Sequence, residues 1–391
     1  MATSYTIVDL GPGSRVGASD EPETKAAAIN NIGSPGEVAG TIESTTEVAA
    51  ALWQSQPFGR GDFAHPEFLG FRMRSRRIGT LGLDSSFATC ISDTNIRGPA
   101  GMIAGFAPTA DGFVRAFLHE RWPNGSTRMF ELGTLIPNPD WEASNRHLGA
   151  SQAYGITYAF GTVVFVVGWS DAPDGSIRAF RWTYWVDLDK PMIDLGTLGG
   201  KNSCATGINS KAHIVGWADT EDATHAVLYQ SVSRTDAYLR KDLGTLGGKS
   251  STATAISDSR HIVGYSETGA GDEHACRFSF SRPGQNTDID NRPGRTSRAL
   301  AVNQSGASVG WARIRYRRPP NRIRYFAFLQ EGSDELIDLN NVSHPPTGPH
   351  FAPDPVWQLL AATGINDEGV IVGNGRLNGK RRAFLLFPDN A

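Results

Sequence analysis

Two stretches of this chain nearly copy each other. Asp194-Leu195-Gly196-Thr197-Leu198-Gly199-Gly200 is followed by Ala205-Thr206-Gly207-Ile208-Asn209, His213-Ile214-Val215-Gly216-Trp217 and His225-Ala226-Val227-Leu228. The same order returns from Asp242: Asp242-Leu243-Gly244-Thr245-Leu246-Gly247-Gly248, Ala253-Thr254-Ala255-Ile256-Ser257, His261-Ile262-Val263-Gly264-Tyr265, His274-Ala275-Cys276. A period near 50 residues admits few folds, because one such unit cannot bury its own apolar surface and must stack on its neighbours. Three markers carry the register along the chain. A glycine recurs at Gly40, Gly105, Gly168, Gly216, Gly264, Gly310 and Gly373. An alanine recurs at Ala50, Ala116, Ala179, Ala226, Ala275, Ala327 and Ala383. An apolar run ahead of them centres on Ile29, Ile91, Ile156, Ile208, Ile256, Val302 and Ile365.

Each copy holds four short runs of β-forming residues divided by Gly, Asn, Asp and Ser turns, the mark of consecutive antiparallel hairpins. Runs such as Phe165-Val166-Val167-Gly168-Trp169 are almost continuously apolar, so both faces of each sheet are covered. Radially packed blades meet that requirement. The recurring Gly and Ala are expected where one sheet approaches the next closely. The last copy ends at Arg382–Phe387 without a fourth run, and Tyr5-Thr6-Ile7-Val8-Asp9-Leu10-Gly11 supplies one from the other terminus. The reading is an all-β, seven-bladed β-propeller of four-stranded antiparallel blades. It is a single domain over 1–391, with the segment at about 5–11 completing the last blade at about 360–388 and removing its free edge.

These motifs resemble the HAF repeat proteins, named for His-Ala-Phe in the third strand. The resemblance covers nearly the whole chain and is densest from Asp194 to Cys276; Arg replaces His before Ala116, Ala179 and Ala383, and Asp288-Ile289-Asp290 replaces Asp-Leu-Gly. It implies the repeat fold and an often extracellular setting, and brings no general catalytic activity. The N-terminal residues show no basic stretch followed by an apolar core, so a cytoplasmic setting is the default expectation.

No run approaches the 18 or so apolar residues of a membrane span, so no membrane partner is expected. A net charge of −3 argues against general nucleic-acid binding. Cys90, Cys204 and Cys276 lack paired spacing and read as small buried hydrophobes. No cofactor or metal is expected: the acidic hairpins lack a calcium loop, and Gly247-Gly248-Lys249-Ser250 has neither the first glycine nor the following helix of a phosphate loop. A monomer is the expected state.

The repeat separates scaffold from function. Residues shared between blades are scaffold, as His213 is with His261 and His225 with His274; polar residues found in one blade only are candidates. Two long loops stand out on the face formed by second-to-third-strand hairpins and interblade links. One carries Asp140, Trp141, Glu142, Arg146 and His147; the other carries His344, His350, Asp354 and Trp357. Such loops on a rigid scaffold are where function gathers. On the same face, the hairpin Trp311–Tyr325 holds Arg313, Arg315, Tyr316, Arg317, Arg322 and Arg324, and the next blade adds Arg376, Arg381 and Arg382. Blades four and five present Asp219, Glu221, Asp222, Glu267, Asp272 and Glu273 there instead. The segment Ser55–Arg77 is expected as a loop on the opposite face.

Two functions fit. One is a binding module whose arginine-rich rim holds a small anionic or apolar ligand, or an acidic protein surface, since guanidinium forks match carboxylate and phosphate. The alternative is an enzyme of specialised metabolism, a lyase, hydrolase or cyclase. In it His147, His344, His350, Asp140 and Asp354 would be the acid–base groups, with Trp141 and Trp357 as an apolar wall.

Overall fold

The structure is a computed structural model. It describes residues 4–11, 22–31, 36–44, 47–57, 71–93, 101–122, 124–137, 149–160, 163–184, 192–232, 237–315, 323–332, 335–344 and 356–389, the side chains of 55–57 and 71–74 apart. Seven sheets follow one another, antiparallel but for one two-residue parallel edge in the last. Blade one uses Glu23–Ile29, Val38–Glu43, Val48–Pro57 and Phe71–Arg77; blade two uses Phe87–Ile91, Ile103–Pro108, Val114–Arg121 and Thr127–Glu131. Blade three uses Ser151–Ala159, Val163–Asp171, Ile177–Thr183 and Met192–Asp194; blade four uses Ser203–Ile208, Ile214–Asp219, Thr224–Ser231 and Tyr238–Gly244. Blade five uses Gly247–Ile256, Ile262–Thr268, Glu273–Phe278 and Thr287–Asp288; blade six uses Arg295–Val302, Ser308–Arg315, Ile323–Gln330 and Ile337–Asp338. Blade seven joins Trp357–Ile365, Ile371–Leu377 and Lys380–Pro388 to Tyr5–Asp9. This is a seven-bladed β-propeller. We call the face carrying the turns between second and third strands the upper face.

The terminal strand closes the ring. Tyr5–Asp9 pairs antiparallel with Pro388–Phe384, and Ser343–His344 lies parallel on its outer edge. Tyr5, Ile7 and Leu10 are buried, and Leu10 donates to the Ala383 carbonyl at 3.0 Å. The segment Ser55–Arg77 departs from expectation. Its two ends extend the outer strands of blade one, pairing Ser55 with Met73 and Pro57 with Phe71; residues 58–70 lie outside the described residues.

The recurring glycine faces its own blade rather than the next. In every blade the innermost strand carries an irregularity one residue after its alanine, for example between Ala205 and Gly207. The bulge swings a backbone carbonyl toward the second strand. A Cβ on Gly216 would stand 1.9 Å from the Cys204 oxygen, and one on Gly105 1.9 Å from that of Phe87. Only glycine fits there. Close approach between sheets falls on the other small residue, as at Gly207, where a Cβ would meet the Ala255 Cα at 3.2 Å.

Blades are also riveted by hydroxyls. Ser86, Ser151, Ser203, Ser251, Ser297 and Thr24 each accept, at 2.8 to 3.0 Å, the amide of the repeat alanine in the preceding blade. Ser86, Ser151 and Ser251 pass their own proton to the carbonyls of Gly79, Gly133 and Gly244. At the seam between blades six and seven Leu360 occupies the equivalent position, and the Asn340 amide clasps both backbone groups of Leu359 instead. Around these polar rivets each seam is apolar: Val215, Leu228 and Leu243 of blade four pack with Ala253, Ile262 and Cys276 of blade five. The three cysteines are buried and unpaired. No helix among the described residues is long and apolar enough to cross a membrane.

Candidate functional site

The two halves of the repeat motif meet in the fold. His225 Nδ1 stands 2.8 Å from Asp242 Oδ2, and His274 Nδ1 2.7 Å from Asp288 Oδ2. The third-strand His is thus held by the fourth-strand Asp of its own blade. Hydrogen bonding to Asp288 holds His274 above the ordinary histidine value, against the opposing effect of burial. Where Arg382 replaces the His, it faces Asp9 at 3.8 Å. His213 accepts the Ser231 amide at 3.2 Å and lies against Phe280, while the imidazole of His261 abuts Gly306.

Among the sequence candidates, Asp140, Trp141, Arg146, His147, Tyr316, Arg317, Arg322, His350 and Asp354 lie outside the described residues. His344 belongs to the ring closure. Its Nε2 meets Asp389 Oδ2 at 2.8 Å, and Asp389 Oδ1 accepts from the Thr6 hydroxyl at 2.7 Å. Burial alone would raise Asp389; bonds from Ser4, Thr6 and His344 bring it below the ordinary value. Trp357 packs edge-on against Phe384 at 6.3 Å. Arg313 donates to Thr296 Oγ1 at 2.7 Å, Arg324 pairs with Asp338 at 2.6 Å, and Arg315 ends its strand exposed.

Arg376 and Arg381 are brought together. They are direct cross-strand partners, both exposed, and line a cleft of about 310 Å³ with Lys25, Arg382, Asn374 and Leu360. The cleft lies on the upper side of the seam between blades seven and one. Comparison with the seam between blades five and six explains it. There Arg298 stacks 4.0 Å from the centre of the Tyr265 ring and pairs bidentately with Glu273 at 2.7 and 3.0 Å. Counting from the repeat Gly and Ala, the equivalents at the seventh seam are Lys25 for Arg298, Asn374 for Tyr265 and Arg381 for Glu273. The aromatic filler has become a small amide and the acid has become a base, so the seam is hollow and cationic. Asn374 turns inward to clamp the blade-one bulge, accepting from Ala26 N at 2.9 Å and donating to Ala26 O at 3.0 Å.

Partial neutralisation comes from Glu43 on Lys25 at 2.5 Å, Glu23 on Arg381 at 3.8 Å and Asp9 on Arg382. Arg376 has no acidic partner among the described residues. Like charges directly opposite on neighbouring strands repel, and the Arg376–Arg381 pair retains that repulsion unless an anion lies between. Sequence reading placed these two arginines, with Arg382, on the basic rim, but did not select Lys25 or Asn374. The available signal was Asn374 itself, at a position that holds Phe106, Trp169, Trp217, Tyr265 and Trp311 in five other blades.

A second cavity, of about 510 Å³, opens on the propeller axis at the lower face. Its floor is the ring of β-branched residues from the innermost strands, and its collar is the set of turns that follow them. The collar is stitched from blade to blade. Asn31 N donates to Asp93 Oδ1 at 2.7 Å, Ser210 N to Asp258 Oδ1 at 2.7 Å, Gln304 N to Asp367 Oδ1 at 2.9 Å, and Asp367 N to Asn31 Oδ1 at 2.8 Å. Blade three breaks the pattern: its innermost strand runs on to Ala159 and places Thr157 and Tyr158 on the wall.

No family model and no curated protein matches this chain. Among solved structures it is similar to the β-propeller domain of the Trilobed protease from Pyrococcus furiosus, with 10% identity over 93% of each chain and a TM-score of 0.49. It is also similar to Trypanosoma rangeli sialidase in complex with sialic acid: 11% identity, all of this chain on 59% of that one, TM-score 0.41. The catalytic domain of Coprinopsis cinerea GH62 α-L-arabinofuranosidase matches at 12% identity over 66% of this chain and 96% of its own, with a TM-score of 0.30. These likenesses concern the fold.

Proposed function

We propose that this propeller is a binding module for an anionic ligand, held in the cationic cleft between blades seven and one. The observation that carries the reading is the substitution at this seam of Asn374 for an aromatic and Arg381 for an acid, relative to the seam between blades five and six. Both changes act in one direction, opening space and inverting charge. Arg376 and Arg381 present two forks across one hairpin, suited to the oxygens of a phosphate or carboxylate, and Lys25 adds a point charge from the next blade. Leu360 gives the cleft one apolar wall, which fits a ligand with an anionic head and an apolar body. The scaffold we read as HAF-type, with His225–Asp242 and His274–Asp288 as the structural pairing of its two motifs.

Calorimetric titration at low ionic strength with inorganic phosphate, citrate and a phenyl phosphate tests the reading. Saturating ligand is expected to raise the melting temperature, since a ligand at 100 times its Kd stabilises by about 2.7 kcal/mol. The double variant Arg376→Gln, Arg381→Gln is expected to lose at least tenfold in affinity. Absence of any heat or shift with all three anions, or full binding by the double variant, would refute it.

A further inference from the structure

We infer that the axial cavity of the lower face is a second, separate site, and that its ligand is an uncharged polyhydroxylated molecule, a saccharide or polyol. Among the described residues no lysine or arginine lines it, which disfavours an anion there. Its three lining carboxylates, Asp93, Asp258 and Asp367, stand on blades two, five and seven, and each already accepts a backbone amide across a seam or shares the Asn31 amide. They do not converge: among the described residues no group of three acidic, histidine or cysteine side chains is placed to hold a metal ion. The cavity therefore offers hydrogen-bonding capacity spread around a circle rather than charge focused at a point.

Much of that capacity is unspent. Asp258 Oδ2, Asp367 Oδ2, the Gln304 amide nitrogen and the hydroxyls of Thr157 and Ser210 have no hydrogen-bond partner among the described residues. Carboxylate and amide oxygens accept while the amide nitrogen donates, and hydroxyls do both. A ligand bearing hydroxyls around a compact ring answers each of these at once, whereas a single ammonium group reaches one carboxylate and leaves the others in water.

Tyr158 supplies the flat surface on which one face of such a ring can lie. It stands where the other blades carry the polar turn, and the neighbourhood fixes it. Behind it lies the buried carboxylate of Glu120, which accepts from Trp122 Nε1 at 3.3 Å and from the Tyr184 hydroxyl. Tyr184 in turn stacks on Trp182 and Phe130. Burial, with the Glu120 charge adding to it, pushes Tyr158 up to about 12, so the phenol stays protonated. The departure of one blade from a sevenfold pattern, at the cavity wall, is the same signal that marks the anion cleft.

The test is ligand-observed NMR and calorimetry on the full chain with maltotriose, xylotriose and myo-inositol, with spermidine and inorganic phosphate as counter-probes. At least one of the three hydroxyl-rich probes is expected to bind, and Tyr158→Ala to weaken it about tenfold, while Tyr158→Phe retains most of the affinity. Gln304→Ala, on a solvent-facing turn, gives an independent loss should Tyr158→Ala fold poorly. Arg376→Gln, Arg381→Gln is expected to bind the sugar normally, which separates this site from the cleft. Binding of none of the three, binding that survives both Tyr158→Ala and Gln304→Ala, or a response to spermidine alone would overturn the inference.

Discussion

Replacing Ser251 by alanine removes one oxygen atom, and the fold predicts what that atom is worth. Ser251 is 2% exposed. It accepts the Ala226 amide at 2.8 Å and donates to the Gly244 carbonyl at 2.6 Å. Alanine leaves both backbone groups buried and unpaired, and the vacated volume is smaller than the roughly 10–15 Å³ a water needs. An orphaned buried polar group costs about 1–3 kcal/mol, so with partial relaxation the pair is expected to cost about 3 kcal/mol. At about 2.1 cal/mol/K per residue over the chain, the unfolding entropy is near 0.8 kcal/mol/K, giving a melting-temperature fall of about 4 °C by calorimetry. The repeat provides the control. Thr24 performs the same task for Ala383 at 2.9 Å, so Ser251→Thr should retain the rivet and lose less than half as much. Alanine at Ser86 or Ser151, which make the same two bonds, should fall in the same range. An unchanged midpoint for Ser251→Ala, or equal losses for the Ala and Thr variants, would refute the argument that these hydroxyls join the blades.

Gly216→Ala, whose Cβ would lie 1.9 Å from the Cys204 carbonyl, should cost about 3 kcal/mol or more in urea unfolding; an equally stable variant would show that the bulge is dispensable. His119 is buried on blade two, and burial, with Arg121 and Arg76 adding to it, pushes it down to about 4. Its unfolded form takes up a proton first, so stability should rise with pH between about 4 and 6.5; His119→Leu should flatten that slope in denaturation curves taken across the window. Glu37 and Arg121 form a buried pair across the first seam, with 3.1 and 2.5 Å contacts. Arg121→Met alone should therefore cost about 3–5 kcal/mol by stranding the carboxylate, read as a shift in denaturant midpoint. Burial raises the thiols of Cys90, Cys204 and Cys276, that of Cys90 to about 12, so an aromatic disulfide reagent should titrate none of them until denaturant is added.

The candidate cleft was half legible in the sequence. Arg376 and Arg381 emerge by subtracting the repeat, because single-blade charges stand out against a shared pattern. Lys25 does not, since nothing local in residues 22–31 marks it; only closure of the ring sets it beside a hairpin some 350 residues further on. The axial cavity was not legible at all. Its collar residues are the ordinary turn formers Asn, Asp, Ser and Gln, which read as scaffold in one dimension and become a site only when seven turns face a common axis.

The sequence by itself determined the number of blades, the four-strand unit and the donation of Tyr5–Asp9 to the last sheet. Period, apolar continuity and the missing fourth run are properties of the chain that any fold must satisfy. What only the tertiary structure decided is which neighbour each recurring small residue meets. Gly216 was expected to face the adjacent sheet and instead makes room for the Cys204 carbonyl of its own blade. A bulge shifts register by one residue at a point that no periodicity reveals. Likewise the hollow at the seam between blades seven and one depends on bulk lost at Asn374 and acidity lost at Arg381 facing Lys25 of blade one, and that coincidence exists only once the ring has closed.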